Sequence, residues 1–587
     1  MALAKRLRQE TTMPLKWLFQ QLAMGSWKSV NRRLYEQKHT KCSNARNPCY
    51  GAVSRVYQEK GMVRVNSKLT SSKVSCAVTL WIQVACLLIP ALSHSGAEVK
   101  LTADAGAVIH TMQGGFGASW HAIEQPIPVE GGRSHGGSAW GANPPAKDDR
   151  AWRQIYRHAD WLGFDFVRVE LEQRMFEPEQ DRFTWDSPEM RILYRILDWC
   201  QSRHADVFLQ CMWGNVDWNS FPEFRGDPVK RVHSGPYSME SFADSMAALM
   251  KYLLTTKHYS CIHWLCINNE PGYEWSWWQR PPNQPVPLRD GLSAVRGALD
   301  RVGVSVPLSG PDWTDLPEFK PEKVDFDSFI GAYDLHSYFA GFDWHAGAGY
   351  PLAIAEKRLA DWRQWSAARG KPLFLSELGT MIYGWGGNNS GPSTWEAAMK
   401  DAELVVRALN LGVDGFNRWC FINRGDLDGA WQMINTWDTG RKAMRKSFTP
   451  CPNAYFVYGL ISRLTAKYSS VVACERTGGQ VDGTNRVFAA ALKSPKGHLT
   501  WIVVNDAARG WTAEFSLRGC GRPALHKYQV TGEQRNQPDL KIVPLRTAAI
   551  TVGNAAFSDE LPPTSVTIYS TWKLKHSDPG IVEDSAP

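Results

Sequence analysis

The sequence predicts an α/β protein, a (β/α)8 TIM barrel followed by an antiparallel β-sandwich domain. Three observations carry that prediction. Between residues 113 and 449, eight short, apolar, β-prone runs alternate with stretches of helical periodicity, which is the rhythm of a parallel barrel. Beyond residue 450 the runs shorten, alternate apolar with polar and are separated by turn formers, as an antiparallel sandwich requires. Roughly 490 residues follow the leader, which is more than one ordinary core holds, so two domains are expected.

The leader comes first. Residues 1–97 hold 15 Lys and Arg against 3 Asp and Glu, leaving 66 − 15 = 51 basic and 58 − 3 = 55 acidic side chains in the rest. The overall charge of +8 is therefore a property of the leader, and global charge gives no reason to expect nucleic acid as a partner of the globular part. A basic, acid-free stretch from Met62 to Lys73, an apolar run from Val74 to Leu92 and the small residues Ser93 to Ala97 follow one another as in a secretory signal peptide. The expectation is a signal segment over 62–97, with Met62 the true start and residues 1–61 a mis-extended beginning. The product would be secreted or periplasmic; an uncleaved membrane anchor through residues 74–92 is the alternative.

The globular chain opens on Glu98 to Ala103, an alternating strand; residues 98–112 are assigned to the sandwich they would join at the far end of the chain. A Gly-rich strand from Gln113 to Trp120 then starts the barrel, followed by a helix from Asp149 to Leu162 and a strand from Phe164 to Glu170. A helix from Ser187 to Ser202 precedes the strand Val207 to Trp213, and a helix from Met239 to Thr255 precedes His263 to Ile267. That fourth strand is apolar and stopped by Pro271. The series continues with a helix at Arg289 to Val302, strands at Ser305 to Gly310 and Ala332 to Tyr338, and a helix at Leu352 to Ala368. It ends with a strand at Pro372 to Ser376, a helix at Thr394 to Leu411 and a last strand at Asp414 to Cys420. Residues 450–575 supply one more helix, Tyr455 to Ile461, and six short strands from Arg486 to Trp572; residues 576–587 are a tail.

Eight of the 12 cysteines follow Ala97 without Cys-x-x-Cys spacing or a histidine partner at ligand spacing, so no metal site is expected. Cys211, Cys266 and Cys420 fall in apolar runs and are read as buried thiols. A disulfide among Cys451, Cys474 and Cys520 is open. The 27 tryptophans are many for this length and suit a carbohydrate cleft, because sugars present apolar C–H faces that stack on indole.

In a barrel of this type the functional groups stand at the strands' C-terminal ends. Glu270 ends the fourth strand and Glu377 the seventh, and 377 − 270 = 107 residues span three βα units of about 35 residues each. Two carboxyl groups on one face are the minimum for glycoside hydrolysis. A lone glutamate after a strand is more often an ordinary loop opener; the joint placement is what argues otherwise. Trp120, His121, Trp213, Asn215, Trp218, Tyr273, Trp275, Trp277, Trp278 and Trp385 are candidates to line the cleft, with Tyr273 to Trp278 the expected platform on the leaving-group side.

The motifs Asn269-Glu270-Pro271, Ser376-Glu377-Leu378-Gly379, Arg168, His336-Ser337-Tyr338 and Trp419 together resemble the pattern of retaining glycoside hydrolases of clan A. The opening Gly114-Gly115-Phe116-Gly117-Ala118 strand and the terminal Leu561 to Ile568 segment are similar to the barrel-plus-sandwich families of that clan, such as families 30 and 39. The resemblance implies that Glu377 is the nucleophile and Glu270 the acid/base, that Asn269 meets the sugar 2-hydroxyl, and that Arg168 and Tyr338 hold Glu377 ionised. It further implies that His336 organises the polar network, that Trp419 floors the reacting subsite, and that no cofactor takes part. The substrate would be a β-linked oligo- or polysaccharide. The competing structural readings are a strand-end ion pair of Arg168 with Glu170 or Glu172, a structural His336, and core packing of Tyr338 and Trp419. A transglycosylase using the same pair and a non-catalytic carbohydrate-binding protein are the alternative functions.

Overall fold

The structure is a computed structural model. It describes residues 98–123, 142–273, 276–314, 318–338, 352–380, 391–422, 429–519, 524–532, 546–551 and 556–573. The leader, with the signal segment expected within it, and the 576–587 tail lie outside the described residues. Among the described residues no helix is long and apolar enough to cross a membrane.

The chain opens with β1 (Val99–Thr111) and enters the barrel through a strand in two pieces, β2 (Phe116–Ala118) and β3 (Trp120–His121). The other barrel strands are β4 (Phe166–Glu172), β5 (Asp206–Trp213), β6 (Ile262–Cys266), β7 (Leu308–Trp313), β8 (Ile330–Tyr338), β9 (Leu373–Gly379) and β10 (Gly415–Arg418). Each pairs in parallel with its neighbour. β2 lies beside β10 and β3 beside β4, so the first strand closes the ring with its two halves. Its glycines make this possible: a Cβ on Gly117 would lie 1.9 Å from the Phe166 carbonyl oxygen, and one on Gly115 would lie 2.1 Å from Asp165 Oδ1.

Helices α1 (Asp149–Leu162), α2 (Pro188–Ser202), α3 (Met239–Lys251), α4 (Leu288–Arg301), α5 (Leu352–Ala368) and α6 (Trp395–Leu411) form the outer ring. Four of them start with side-chain caps, Asp148, Ser187, Ser238 and Thr394 accepting from backbone N–H groups of the first turn. Between β7 and β8, where the sequence reading names no particular helix, the described residues hold two short 3-10 turns, Pro321–Lys323 and Asp327–Phe329. The helix α7 (Pro452–Arg463) begins with proline at its first turn and packs against α1 and α6, with Tyr455 stacked on Trp161 at 4.8 Å.

Strand alternation sorts the barrel's side chains. Val167, Val169 and Leu171 of β4 join the large apolar cluster between strands and helices. Phe166 instead meets Phe208, Cys266, Ala332 and Phe374 in a separate plug inside the barrel. Above that plug the inward positions turn polar: Arg168, Glu170, Gln210, Asp334 and His336 are all buried. The floor of the site is thus an aromatic layer, with charge stacked on top of it.

The second sheet holds β11 (Ser470–Gly478), β12 (Val487–Lys493), β13 (Leu499–Asn505), β14 (Trp511–Arg518), β15 (Ala524–Thr531), β16 (Arg546–Thr551), β17 (Ala556–Leu561) and β18 (Ser565–Ser570). Their order, with β1 inserted, is β16-β15-β18-β13-β12-β11-β1-β14-β17. Every pairing is antiparallel except β1 with β14, which is parallel, so the sheet is mixed. It folds over on itself: Phe515 of β14 meets Trp501 of β13 at 5.2 Å and Tyr569 of β18 at 4.8 Å. One face, with Val487, Ala489, Ala491, Trp501 and Val503, forms this inner core. The alternate residues Ala490, Leu492, Ile502, Val504, Val566 and Ile568 belong to the barrel's core through α6 and α7.

Candidate active site

Arg168 occupies the centre of the barrel mouth and is fully buried. Its Nη1 donates to Glu377 Oε1 and to Glu170 Oε1 and reaches Ser119 Oγ at 3.2 Å. Its Nη2 donates to Asn269 Oδ1 at 3.1 Å. Glu377, only 5% exposed, also accepts from the Tyr338 hydroxyl through Oε2. Burial and the neighbouring Glu377 push the Tyr338 phenol well above its usual value, so it remains a donor.

His336 joins the two glutamates. Its Nδ1 lies 2.8 Å from Glu270 Oε1 and 3.2 Å from Glu377 Oε2, and its Nε2 lies 2.9 Å from Asp312 Oδ1. Burial works against the charged imidazole, but Asp312 and Glu377 outweigh it and hold the pKa of His336 well above the ordinary histidine value. His336 is therefore an imidazolium donating from both nitrogens. Burial also acts against Asp312 ionising, and His336 and Arg168 overcome it, lowering its pKa. Burial and the charge on Asp312 drive Asp334 far up, so Asp334 is the protonated member of that pair. At Glu170 burial is again opposed, by Arg168 and His121, and the pKa is lowered. At Glu377 burial wins over Arg168 and His336, and the pKa is raised.

The acid pair is close. Single ligand atoms of Glu270, His336 and Glu377 lie within 4.8 Å of one another. Glu270 itself has φ +45°, the left-handed region that costs a non-glycine residue about 1–2 kcal/mol. Its amide is fastened to Asp312 Oδ2 at 3.3 Å, and Ser276 Oγ donates to the Asn269 carbonyl at 2.5 Å. Backbone strain and two side-chain anchors thus aim the glutamate. The cluster has metal-ligand geometry, as does Cys266 with Asp312 and Asp334.

The aromatic candidates divide. Trp419 lies in the site, 1% exposed, with His121 at 6.0 Å and Trp431 at 5.5 Å in edge-to-face contact. His121 Nε2 meets Glu170 Oε2, within the polar network. Trp120 faces the other way, because strand neighbours alternate: it packs on Trp152, Trp199 and Phe421, and its Nε1 donates to Asn143 Oδ1 at 3.0 Å. It is a core residue and not a cleft liner. Trp213 ends β5 inside the apolar core, 3% exposed. The expected platform after Glu270 is a packing unit: Tyr273 stacks on Phe319 at 4.8 Å, and Trp277 and Trp278 meet at 4.9 Å over Phe242. All three are at most 5% exposed and lie against these neighbours. Trp275 and Trp385 lie outside the described residues. Asp312 was not among the site residues read from the sequence, and Glu170 entered only as an ion-pair partner of Arg168; the structure puts both in direct contact with the site's cations, and adds Ser119 and Gln210, whose Nε2 donates to Asp312 Oδ2 at 2.8 Å. Each is an inward position of a barrel strand, a signal present in the alternation but not used.

Cys200, Cys211, Cys261, Cys266, Cys420 and Cys451 are buried free thiols and Cys474 a partly buried one; Cys520 lies outside the described residues.

No family model matches the sequence, and no curated protein matches it. Solved structures do. The chain is similar to a glycoside hydrolase family 30 subfamily 8 xylanase from Clostridium acetobutylicum, with 13% identity, 80% of this chain and 99% of that one covered, and a TM-score of 0.52. It is similar to a family 39 enzyme from Xanthomonas axonopodis pv. citri (12% identity, 82% and 99% covered, TM-score 0.53). A third is a conserved exported protein from Bacteroides fragilis (13% identity, 80% and 99% covered, TM-score 0.56). The fold is that of the barrel-plus-sandwich glycoside hydrolases, the architecture that the sequence motifs resemble.

Proposed function

We propose that this chain is an exported retaining β-glycoside hydrolase acting on a β-linked oligo- or polysaccharide. The observation that carries the reading is the placement of Glu270 and Glu377 on one imidazolium, their nearest oxygens within 4.8 Å. An oxygen–oxygen gap of that size is compatible with the ~5–5.5 Å carboxyl separation of retaining pairs. Similar structures include an endo-β1,6-glucanase and the xylanase, which supports a polysaccharide substrate.

In this reading the Glu377 carboxylate attacks the anomeric carbon while Glu270 protonates the departing oxygen, giving a glycosyl ester on Glu377. Glu270, now ionised, takes a proton from water, which attacks the same carbon and frees Glu377. Burial alone favours a protonated Glu377. Both of its oxygens accept hydrogen bonds, from Arg168, Tyr338 and His336, and only the carboxylate accepts from all three. His336 Nδ1 lies 2.8 Å from Glu270 Oε1 and so fixes the orientation of the acid. Asn269 gives its Oδ1 to Arg168, which leaves its Nδ2 to donate to the 2-hydroxyl. Trp419 floors the subsite.

Glu377→Gly is expected to abolish turnover of aryl β-glycosides, with azide restoring cleavage as an α-glycosyl azide. Wild-type rates in that variant would remove Glu377 from the nucleophile's role.

A further inference from the structure

Tyr273, Trp277 and Trp278, which the sequence offered as part of a sugar platform, are packed on Phe319 and Phe242; a leaving-group sugar can also be met on a neighbouring loop. The loop 214–238, which follows β5 on the same face of the barrel, supplies a surface. Among the described residues Tyr237 is the most exposed aromatic, at 57%, and Val229 of the same loop is 50% exposed. Phe221 meets Tyr237 edge to face at 5.5 Å, and the Arg225 guanidinium lies 5.3 Å from its ring centre.

This loop is built, not draped. Tyr237 N donates to the Asn219 carbonyl at 2.8 Å, Ser238 N to Asn219 Oδ1 at 2.7 Å, and Phe221 N to Ser234 Oγ at 2.9 Å. Arg225 Nε donates to the Ser220 carbonyl at 2.9 Å, and Arg231 spans Asn215 and Asp217 at 3.1 and 2.8 Å. It is also stitched to the segment that follows Glu270. Gly235 N donates to the Gln279 carbonyl, Gln279 N to the His233 carbonyl, and His233 Nδ1 lies 3.1 Å from the Ser276 carbonyl. Ser276 in turn holds Asn269. A continuous hydrogen-bonded path therefore runs from the proton donor's strand end to the loop that carries Tyr237.

An aromatic ring on a braced loop, already held by contact with Phe221 and Arg225, loses less freedom when a pyranose C–H face covers it than a ring on an unbraced loop would. We propose that Tyr237, backed by Phe221 and Arg225, is the stacking platform of a subsite for a neutral sugar of the leaving group, so that the enzyme favours chains over single glycosides. This rests on the glycosidase reading.

The test is the ratio of kcat/KM on polymer to kcat/KM on nitrophenyl glycoside. It uses xylan, β-1,6-glucan, β-1,4-mannan and β-1,3-glucan against the 4-nitrophenyl β-xyloside, β-glucoside and β-mannoside. Tyr237→Ala is expected to lower that ratio about five- to tenfold, mainly through KM on the polymer, while Tyr237→Trp restores it. An exposed position keeps folding out of the comparison, and matching melting curves verify that. An unchanged ratio in Tyr237→Ala, or a wild type that splits nitrophenyl glycosides but none of the polymers, overturns the subsite. A wild type inert on every substrate overturns the glycosidase reading and the subsite with it.

Discussion

Replacing Asp312 by asparagine removes the negative charge against which His336 stays protonated, although Asp312 itself meets no substrate atom in the proposed reaction. The expected result is a fall in kcat of about 10²-fold and an alkaline limb of the pH–rate profile moved toward lower pH. A merely structural Asp312 would lower the rate without moving that limb. The same groups set the pH dependence of stability. His336 has a folded pKa above its unfolded value of 6.5, so its contribution is complete below pH about 6.5 and is lost as pH rises through the folded value. Glu170 and Asp312 have depressed folded values; their contribution is present above the unfolded pKa and is lost as pH falls through the folded one. Melting temperature is therefore expected to decline at both extremes, and Asp312→Asn to flatten the alkaline decline. Thermal unfolding across a pH series reads both.

At the scale of elements, the split first strand is the barrel's seam. Gly117→Ala would set a methyl group 1.9 Å from a backbone oxygen, and backbone does not swing aside as a side chain does. The strand must retreat from β4, at a cost of about 3 kcal/mol, measurable as a lowered urea midpoint with the slope unchanged. Much at this scale was legible in the sequence. Gly117, the apolar run before Glu270 and the periodicity from Asp149 to Leu162 each belong to the element expected. What escaped was non-local. Ser470–Gly478 mixes Ser, Cys, Glu, Arg and Thr and signals no buried strand, yet it pairs with β1. Tyr273, Trp277 and Trp278 read as ligand-facing because exposure is not written in residue type, and only the packing on Phe242 and Phe319 decides it. Asp312 was passed over because its partner His336 is brought to it by the β7–β8 pairing and the barrel's curvature, which spacing along the chain does not reveal.

For the whole molecule, β1 sits in the middle of the second sheet between β11 and β14, and its last residues reach the barrel. His110 Nε2 lies 2.8 Å from Asp414 Oδ1, and Met112 N donates to the Ser469 carbonyl at 3.0 Å. The sheet's outer face shares its core with α6 and α7. Barrel and sheet are therefore expected to melt in one calorimetric transition, and a chain starting at Gly114 to lose both. Two separate transitions in the chain beginning at Glu98 would contradict this coupling.

That central strand also imposes an order of events on synthesis. Val99 is made before any residue of the barrel, but its partners are Gly478 and Ala513, which leave the ribosome only after the whole barrel has been translated. The first strand must wait, unpaired, while everything between is made. The second sheet therefore cannot be completed before Ala513 has left the ribosome.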